Sequence, residues 1–251
     1  MMRAEPAADT EQGIVAACTD YAASWLEGEP GRMASCLHPG LAKRAVVDHR
    51  SGALTLEESP FDEMVASAGR GPRAFSRDLR IDVLDVTAGI ASASVLSEPW
   101  LDLIHLARFH DRWRIVNVLY EPRPTAVHDS ADRAAVAGLL DVYAVCGFDE
   151  DLELVRAIHH PALAERRVED EAGGGLELDD STLAEVIGFV ADGLELERFE
   201  RAWDAHVLEV GRDIAAARIT VGWWDIHLHA ARFGSRWMIV NILYRNRPEV
   251  A

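Results

Sequence analysis

The chain repeats itself, and the length of the repeat limits what it can fold into. Trp100–Pro124 reads WLDLIHLARFHDRWRIVNVLYEPRP and Trp224–Pro248 reads WDIHLHAARFGSRWMIVNILYRNRP, identical at 14 of 25 positions without a gap. The shared pairs include His105/His229, Arg108/Arg232, Trp113/Trp237 and Asn117/Asn241. Upstream, HPGLAKR at His38–Arg44 faces HPALAER at His160–Arg166, and Tyr21 faces Tyr143. The upstream offset is 122 residues (38 to 160) and the downstream offset 124 (100 to 224), so the second copy carries a small net insertion. A period this long is the size of a small domain, not of a solenoid repeat. Two domains, at residues 8–124 and 130–249, are expected. Arg123–Ser130 would link them, with Pro122 and Pro124 stopping the last strand of the first copy.

With 251 residues, 49% of them hydrophobic, each copy can bury a core of its own. The net charge of −17 repels phosphate backbones and anionic lipid, which argues against nucleic-acid and membrane partners. No run approaches the roughly 18 apolar residues of a membrane span. The polar, acidic opening MMRAEPAADTEQG is unlike a secretory signal. Cys18, Cys36 and Cys146 have no counterparts in the other copy and no metal-ligand spacing. An odd count leaves at least one thiol free, and a reducing, cytoplasmic compartment is the simplest expectation. Lys43 is the only lysine, which reads as coding bias toward arginine.

Each copy places helices first and strands later. In the first, Thr10–Glu27 carries apolar residues at Ile14, Ala17, Cys18, Tyr21, Ala22, Trp25 and Leu26, a helical stripe. Arg32–Leu37 predicts a second helix ended by His38-Pro39, Ala45–Val47 and Leu54–Leu56 a short hairpin around Arg50-Ser51-Gly52, and Phe61–Ala68 a third helix. Strands follow at Arg80–Val86, Ile90–Ser97, Trp100–Phe109 and Arg112–Tyr120. The second copy predicts helices near Ser130–Cys146, Asp151–His159 and Ser181–Asp192, then strands Phe199–Val210, Ile214–Trp223, Trp224–Phe233 and Arg236–Tyr244. Helices followed by an antiparallel sheet make an α+β layout.

The last hairpin is apolar on both faces. A two-residue turn at His110-Asp111 puts Leu101, Leu103, His105, Ala107, Val116, Val118 and Tyr120 on one face. Trp100, Asp102, Ile104, Leu106, Arg108, Trp113, Ile115, Asn117 and Leu119 fall on the other. One face must cover its own helices and the other must meet something else, the obvious candidate being the other copy.

The stretches LEGEPGRMASCLHPGLAKR, IDVLDV and WLDLIHLARFHDRWRIVNVLYE resemble the nuclear transport factor 2-like superfamily of cone-shaped α+β folds. Within it they are most similar to a bacterial branch described as putative lumazine-binding. The second copy shares the end of the pattern well and its middle poorly. The resemblance implies two tandem cone-like domains, each with N-terminal helices on a curved antiparallel sheet. Members commonly dimerise through the outer sheet face, so it also implies an intrachain pseudo-dimer, favoured by effective concentration, with a further homo-oligomer left open. The superfamily holds isomerases, dehydratases, cyclases, epoxide hydrolases and non-catalytic modules, so function must come from the site.

His105 and His229, placed on the inner face, are candidates for general acid or base, or else core histidines bonded to a tyrosine or a carbonyl. Tyr21 precedes Gly28 by a spacing similar to that of the oxyanion-holding tyrosine of ketosteroid isomerases in this superfamily. Those enzymes place a catalytic aspartate where this chain has Ala45, with Asp48 nearby, and His105 falls near their second oxyanion donor. The departure at Ala45 argues against that reaction as such. Asp225, His227 and His229 alternate on one strand face, either as a wetter pocket or as a metal pair, though the strand rise makes the triplet wide for one ion. His38 and His160 read as cationic residues at the end of the second helix. Arg44 and Arg166 bind an anion at a cavity mouth or form surface ion pairs. Arg108 with Trp113, and Arg232 with Trp237, are expected to stack at the interface between copies. Asn117 and Asn241 are expected to bond across it.

The resulting expectation is a cofactor-independent isomerase, cyclase or dehydratase acting on a small hydrophobic carbonyl compound, with no metal. Proton transfer would fall to His105 with Tyr21, or to His229 with Asp225, His227 and Tyr143. Arg44, Leu103, Val116, Val118 and Tyr120 would bind the substrate. The alternative is a module that holds a small molecule or a partner without turnover.

Overall fold

The computed structural model of the protein describes residues 7–48, 54–124, 130–170 and 176–247. The expected turn at Arg50-Ser51-Gly52, the first six residues and most of the expected linker (125–129) lie outside the described residues. In the first copy the elements are α1 (Ala7–Glu27), α2 (Pro30–Cys36), β1 (Leu37–Asp48), β2 (Leu54–Pro60), α3 (Phe61–Ala68), β3 (Arg80–Thr87), β4 (Ile90–Leu96), β5 (Trp100–Phe109) and β6 (Arg112–Pro122). The second copy runs α4 (Ser130–Asp149), α5 (Leu152–Ile158), β7 (His159–Asp170), β8 (Leu176–Ser181), α6 (Leu183–Asp192), a 3-10 turn (Leu196–Arg198), β9 (Trp203–Val210), β10 (Ile214–Val221), β11 (Trp224–Phe233) and β12 (Arg236–Asn246). The β7–β8 pair, absent from the sequence expectation, matches β1–β2 of the first copy.

Each copy forms one six-stranded sheet, in the orders β2-β1-β6-β5-β4-β3 and β8-β7-β12-β11-β10-β9. All neighbours are antiparallel except β1 with β6 and β7 with β12, which run parallel because the helices deliver β1 and β7 to the far side of the last hairpin. Helix α1 buries Ile14, Cys18, Tyr21 and Leu26 on one stripe against the sheet, the face its period predicts. Helix α6 opens on a capping box in which Thr182 N donates to Glu185 Oε2 at 2.8 Å and Glu185 N to Thr182 Oγ1. Both domains are thus helix-on-sheet units of α+β class with separate cores.

A bulge decides which side chains face which core. The turn of the β5–β6 hairpin has the expected two residues, and Arg108 pairs with Trp113. Between His105↔Asn117 and Leu106↔Ile115, however, Val116 is an extra residue on β6, and β12 repeats the insertion at Val240. The bulge lets Ile115 and Val118 both join the core under the helices, together with Ile104, Leu106, Trp113 and Tyr120. Leu101, Leu103, His105, Ala107, Val116, Asn117 and Leu119 look the other way. The expected inner and outer faces are therefore reversed in β5 and in β6 as far as the bulge, so that His105 and Val116 look outward, whereas beyond it Val118 and Tyr120 face the helices as expected, on the opposite side from His105.

That outer face packs on its counterpart. Leu101, Leu103 and Leu119 bury against Ile214, Ala216, Ala231 and Val240, and Ile90, Phe109 and Val116 against Val168 and Leu243. The sheets of the two copies meet back to back as the expected pseudo-dimer. Its ends are clamped asymmetrically. Glu121 accepts from Arg212 N (2.7 Å) and Asp213 N (2.8 Å) in the β9–β10 turn, where a Cβ on Gly211 would run into the carboxylate. At the equivalent place, 124 residues on, Arg245 donates to Ala88 O (2.7 Å) in the β3–β4 turn.

Candidate functional site

The histidines expected inside the cones sit between the sheets. His105 and His229, both fully buried, stack with ring centroids 3.5 Å apart. Arg166, reaching across from β7, donates through Nη1 to Asn117 Oδ1 and to Val116 O, both at 2.5 Å. Since a guanidinium only donates, Asn117 turns its Nδ2 toward His105 Nδ1 (3.2 Å), which must accept. A proton on Nδ1 would face a donor. Burial first, then the neighbouring charges of His229 and His227, holds His105 well below the usual imidazole range. His229 is paired likewise with Asn241 (3.1 Å) and is pushed down to about 3 by burial. Both stay neutral, and neither lines the cavity of either domain.

The Asp225–His227–His229 alternation is real, but the three side chains have separate partners. Asp225 accepts from Thr220 Oγ1 at 2.9 Å, and His227 bonds Ser92 (2.7 Å) and Thr87 (3.0 Å) of the first domain. Among the described residues no cluster of three His, Cys, Asp or Glu is placed to hold a metal ion. Arg44 also crosses the interface, donating to Ala162 O (2.7 Å) and Val240 O (2.8 Å) while pairing Glu58. Together with Leu103 and Val116 it belongs to the packing of the copies and not to a cavity. Asn117 bonds across the interface as expected, whereas Asn241 pairs with His229 of its own domain and makes no such bond. Arg232 does lie over the Trp237 ring (5.7 Å to the centroid), but Trp113 and Trp237 belong to their own domains' cores and not to the interface, Trp113 against α1 beside Gly13. His38 and His160 accept from backbone amides two residues on (3.1 Å each) and stack on Phe109 and Phe233. Burial lowers both, His38 to about 4, so neither is the expected cation.

Two cavities lie on the opposite, helix-covered faces, one in each domain. In the second domain a cavity of about 410 Å³ is bounded by Val155, Val186, Val190, Leu196, Val221 and Ile226, with exposed Phe189 at its mouth. Its polar lining comprises Glu165, His159, Tyr143 and Tyr244, together with Arg167, Asp192 and Glu195. Glu165, from β7, is buried among apolar atoms without a cationic partner, and burial alone pushes its carboxyl up to about 7. Tyr143, from α4, is raised well above the usual phenol range by burial and then by Glu165; the same two causes push Tyr244, from β12, up to about 12. His159 bonds Val155 O through Nδ1 (2.8 Å), so its Nδ1 carries the hydrogen and its unpartnered Nε2 is a bare acceptor. Burial lowers His159 to about 4.

The cavity of the first domain, about 480 Å³, has the same scaffold and opposite chemistry. Position 43, equivalent to Glu165, is the chain's lone lysine. Lys43 Nζ donates to Asp102 Oδ1 (2.7 Å) and contacts the Tyr21 hydroxyl, which itself donates to Asp102 (2.8 Å). Tyr120 lies with its ring centroid 3.8 Å from Nζ. The group beside Tyr21 is therefore Asp102 and not His105. Of the expected site residues the structure brings Tyr21 and Tyr120 into one cavity and Tyr143 into the other. Lys43, Asp102, Glu165 and His159 were missed. The signal for two of them was present: within HPGLAKR and HPALAER, the Lys43/Glu165 exchange reverses charge.

The family described as putative lumazine-binding matches residues 9–121. Similar solved structures include a nuclear transport factor 2-like protein of unknown function from Silicibacter pomeroyi, 22% identical with TM-score 0.41, covering 48% of this chain and 100% of that one. Another of unknown function, from Shewanella baltica, is 15% identical with TM-score 0.39, covering 49% and 99%. A cystatin-like-fold protein of unknown function from Nostoc punctiforme is 13% identical with TM-score 0.37, covering 50% and 98%. The comparison with curated proteins gave no match. The chain is thus a tandem of two α+β domains of one topology, the first of which, over residues 9–121, matches the family described as putative lumazine-binding.

Proposed function

We propose that the second domain binds a small hydrophobic carbonyl compound and moves a proton on the carbon beside its carbonyl, with Glu165 as the acid–base group. One observation carries this reading: a buried carboxyl paired with no cation, Arg167 of the same cavity being engaged with Tyr244, and raised to about 7 by burial in a largely apolar lining. A general base works best when its pKa lies near the operating pH, and desolvation is how a carboxyl gets there. Glu165 would take the proton, Tyr143 or Tyr244 would donate to the developing enolate oxygen, and Glu165 would return the proton at a new position. Such an isomerisation needs no electron acceptor. Deuterium incorporation into small cyclic ketones in D2O, followed by mass spectrometry, tests it. The wild-type chain should accelerate exchange with an apparent pKa near 7. Glu165→Gln should cost about 10²-fold or more, and retention of full exchange would sink the reading.

A second reading concerns the first domain, where the matched family's description points to binding without turnover. Trp25, Trp100 and Tyr120 flank Lys43 and Asp102, aromatic faces beside paired charge that suit a flat, polar heteroaromatic ring. Quenching of tryptophan fluorescence by lumazine, lost in Trp100→Ala, would support it.

A further inference from the structure

The geometry points to Lys43 as a carbonyl-condensing amine, forming an imine with a small aldehyde or ketone in the first domain's cavity. The proposal is independent of the chemistry assigned to Glu165, which lies in the other domain. Three observations meet at this residue. Lys43 is the single lysine among 25 Lys and Arg residues, and it stands in a cavity wall. For an ion pair with Asp102 alone, arginine would serve as well or better, through its two-pronged guanidinium; only lysine can give up its proton and become a nucleophile. Its surroundings also supply what imine formation consumes. Asp102 Oδ1, 2.7 Å from Nζ, can take the ammonium proton, and the Tyr21 hydroxyl, bonded to the same oxygen, can hand a proton to the carbonyl oxygen. Trp25, Trp100 and Tyr120 provide an aromatic wall for the rest of the molecule.

The steps balance without an oxidant or a cofactor. Lys43 passes a proton to Asp102, and the free amine attacks the carbonyl carbon. The C–N bond forms as the Tyr21 hydroxyl hands its proton to the carbonyl oxygen and takes back the proton shed by the attacking nitrogen, giving a neutral carbinolamine. Proton return to that hydroxyl expels water as the C–O bond breaks, leaving an iminium on Nζ. Burial drives the Lys43 pKa down against the pull of Asp102, which favours the free amine. Each unit of such a fall raises the fraction of free amine about tenfold at neutral pH. The equivalent position in the second domain is Glu165, so that cavity cannot do this chemistry.

The test uses the whole chain, with benzaldehyde as probe and sodium cyanoborohydride as the hydride donor that reduces any iminium to a stable benzylamine. Apart from the α-amine, Lys43 is the only amine in the sequence, so peptide mapping separates the two sites. Near pH 7, adduct at Lys43 should form at least about tenfold faster than on Nα-acetyl-lysine under the same conditions. The Lys43→Arg variant, which keeps a cation beside Asp102, should carry adduct only at the α-amine. Its circular dichroism spectrum should match that of the wild type. Modification of wild-type Lys43 no faster than that of the free amino acid, or adduct at the α-amine alone, overturns the proposal.

Discussion

At the scale of the residue, position 165 and its partner at 43 show how one scaffold carries two chemistries. Glu165 titrates near 7 in the folded chain and near 4.5 in the ordinary state. Between those values the folded chain holds the extra proton, so stability falls as pH rises from about 4.5 to 7 and stays low above it. Glu165→Gln has no ionised form to bury. It should exceed the wild type in stability at about pH 8, by on the order of 2–3 kcal/mol, and match it near pH 4. Urea denaturation at the two pH values checks this, and a gap independent of pH would contradict the assigned burial. The charge reversal between Lys43 and Glu165 was legible, since the flanking residues of HPGLAKR and HPALAER align it. Asp102 and His159 were not. Their counterparts are Ile226 and Leu37, and without a fold nothing marks them as facing a cavity.

At the scale of the element, the bulges at Val116 and Val240 separate what the sequence revealed from what it hid. Strand positions, the two-residue turn and the Arg108–Trp113 pairing follow from alternation and turn chemistry. A one-residue bulge in a strand apolar on both faces leaves no break in the pattern, so the expected faces of β6 mix residues that the fold separates; β5 is apolar on both faces as well, and nothing in its alternation says which one meets the helices, which is why the roles of His105, His227 and His229 were assigned to the wrong side. The stacked imidazoles are structural. His105→Ala should open a void between the sheets and leave Asn117 Nδ2 without its acceptor, costing about 2–4 kcal/mol of stability. Thermal unfolding should register that loss, while ketone exchange through Glu165 continues in the fraction that stays folded. Loss of exchange at unchanged stability would return His105 to the catalytic list. Acid should act at the same place. His229 is depressed to about 3, so its contribution to stability is complete above about 6.5 and falls away as pH drops through that window.

At the scale of the whole molecule, duplication has produced a closed pair. Both outer faces, which the apolar hairpin required something to cover, are consumed by each other. The end clamps have diverged, with the Glu121 carboxylate holding turn amides at one end and the Arg245 guanidinium holding a turn carbonyl at the other. Each cavity opens away from this seam beneath its own helices, so the two halves can differentiate without disturbing the joint. The tandem architecture was the most legible feature of the sequence, because a repeat of domain length fixes it before any element is assigned. The central claim is that chemistry resides in the cones and that the buried histidines between them hold the halves together. A crystal structure of the chain soaked with 2-cyclohexenone tests it most directly. The account predicts the ketone in the second domain's cavity, its oxygen toward Tyr143 or Tyr244 and its ring carbons against Glu165; a ketone lodged beside His105 and His229 between the sheets, with both cavities empty, would contradict it.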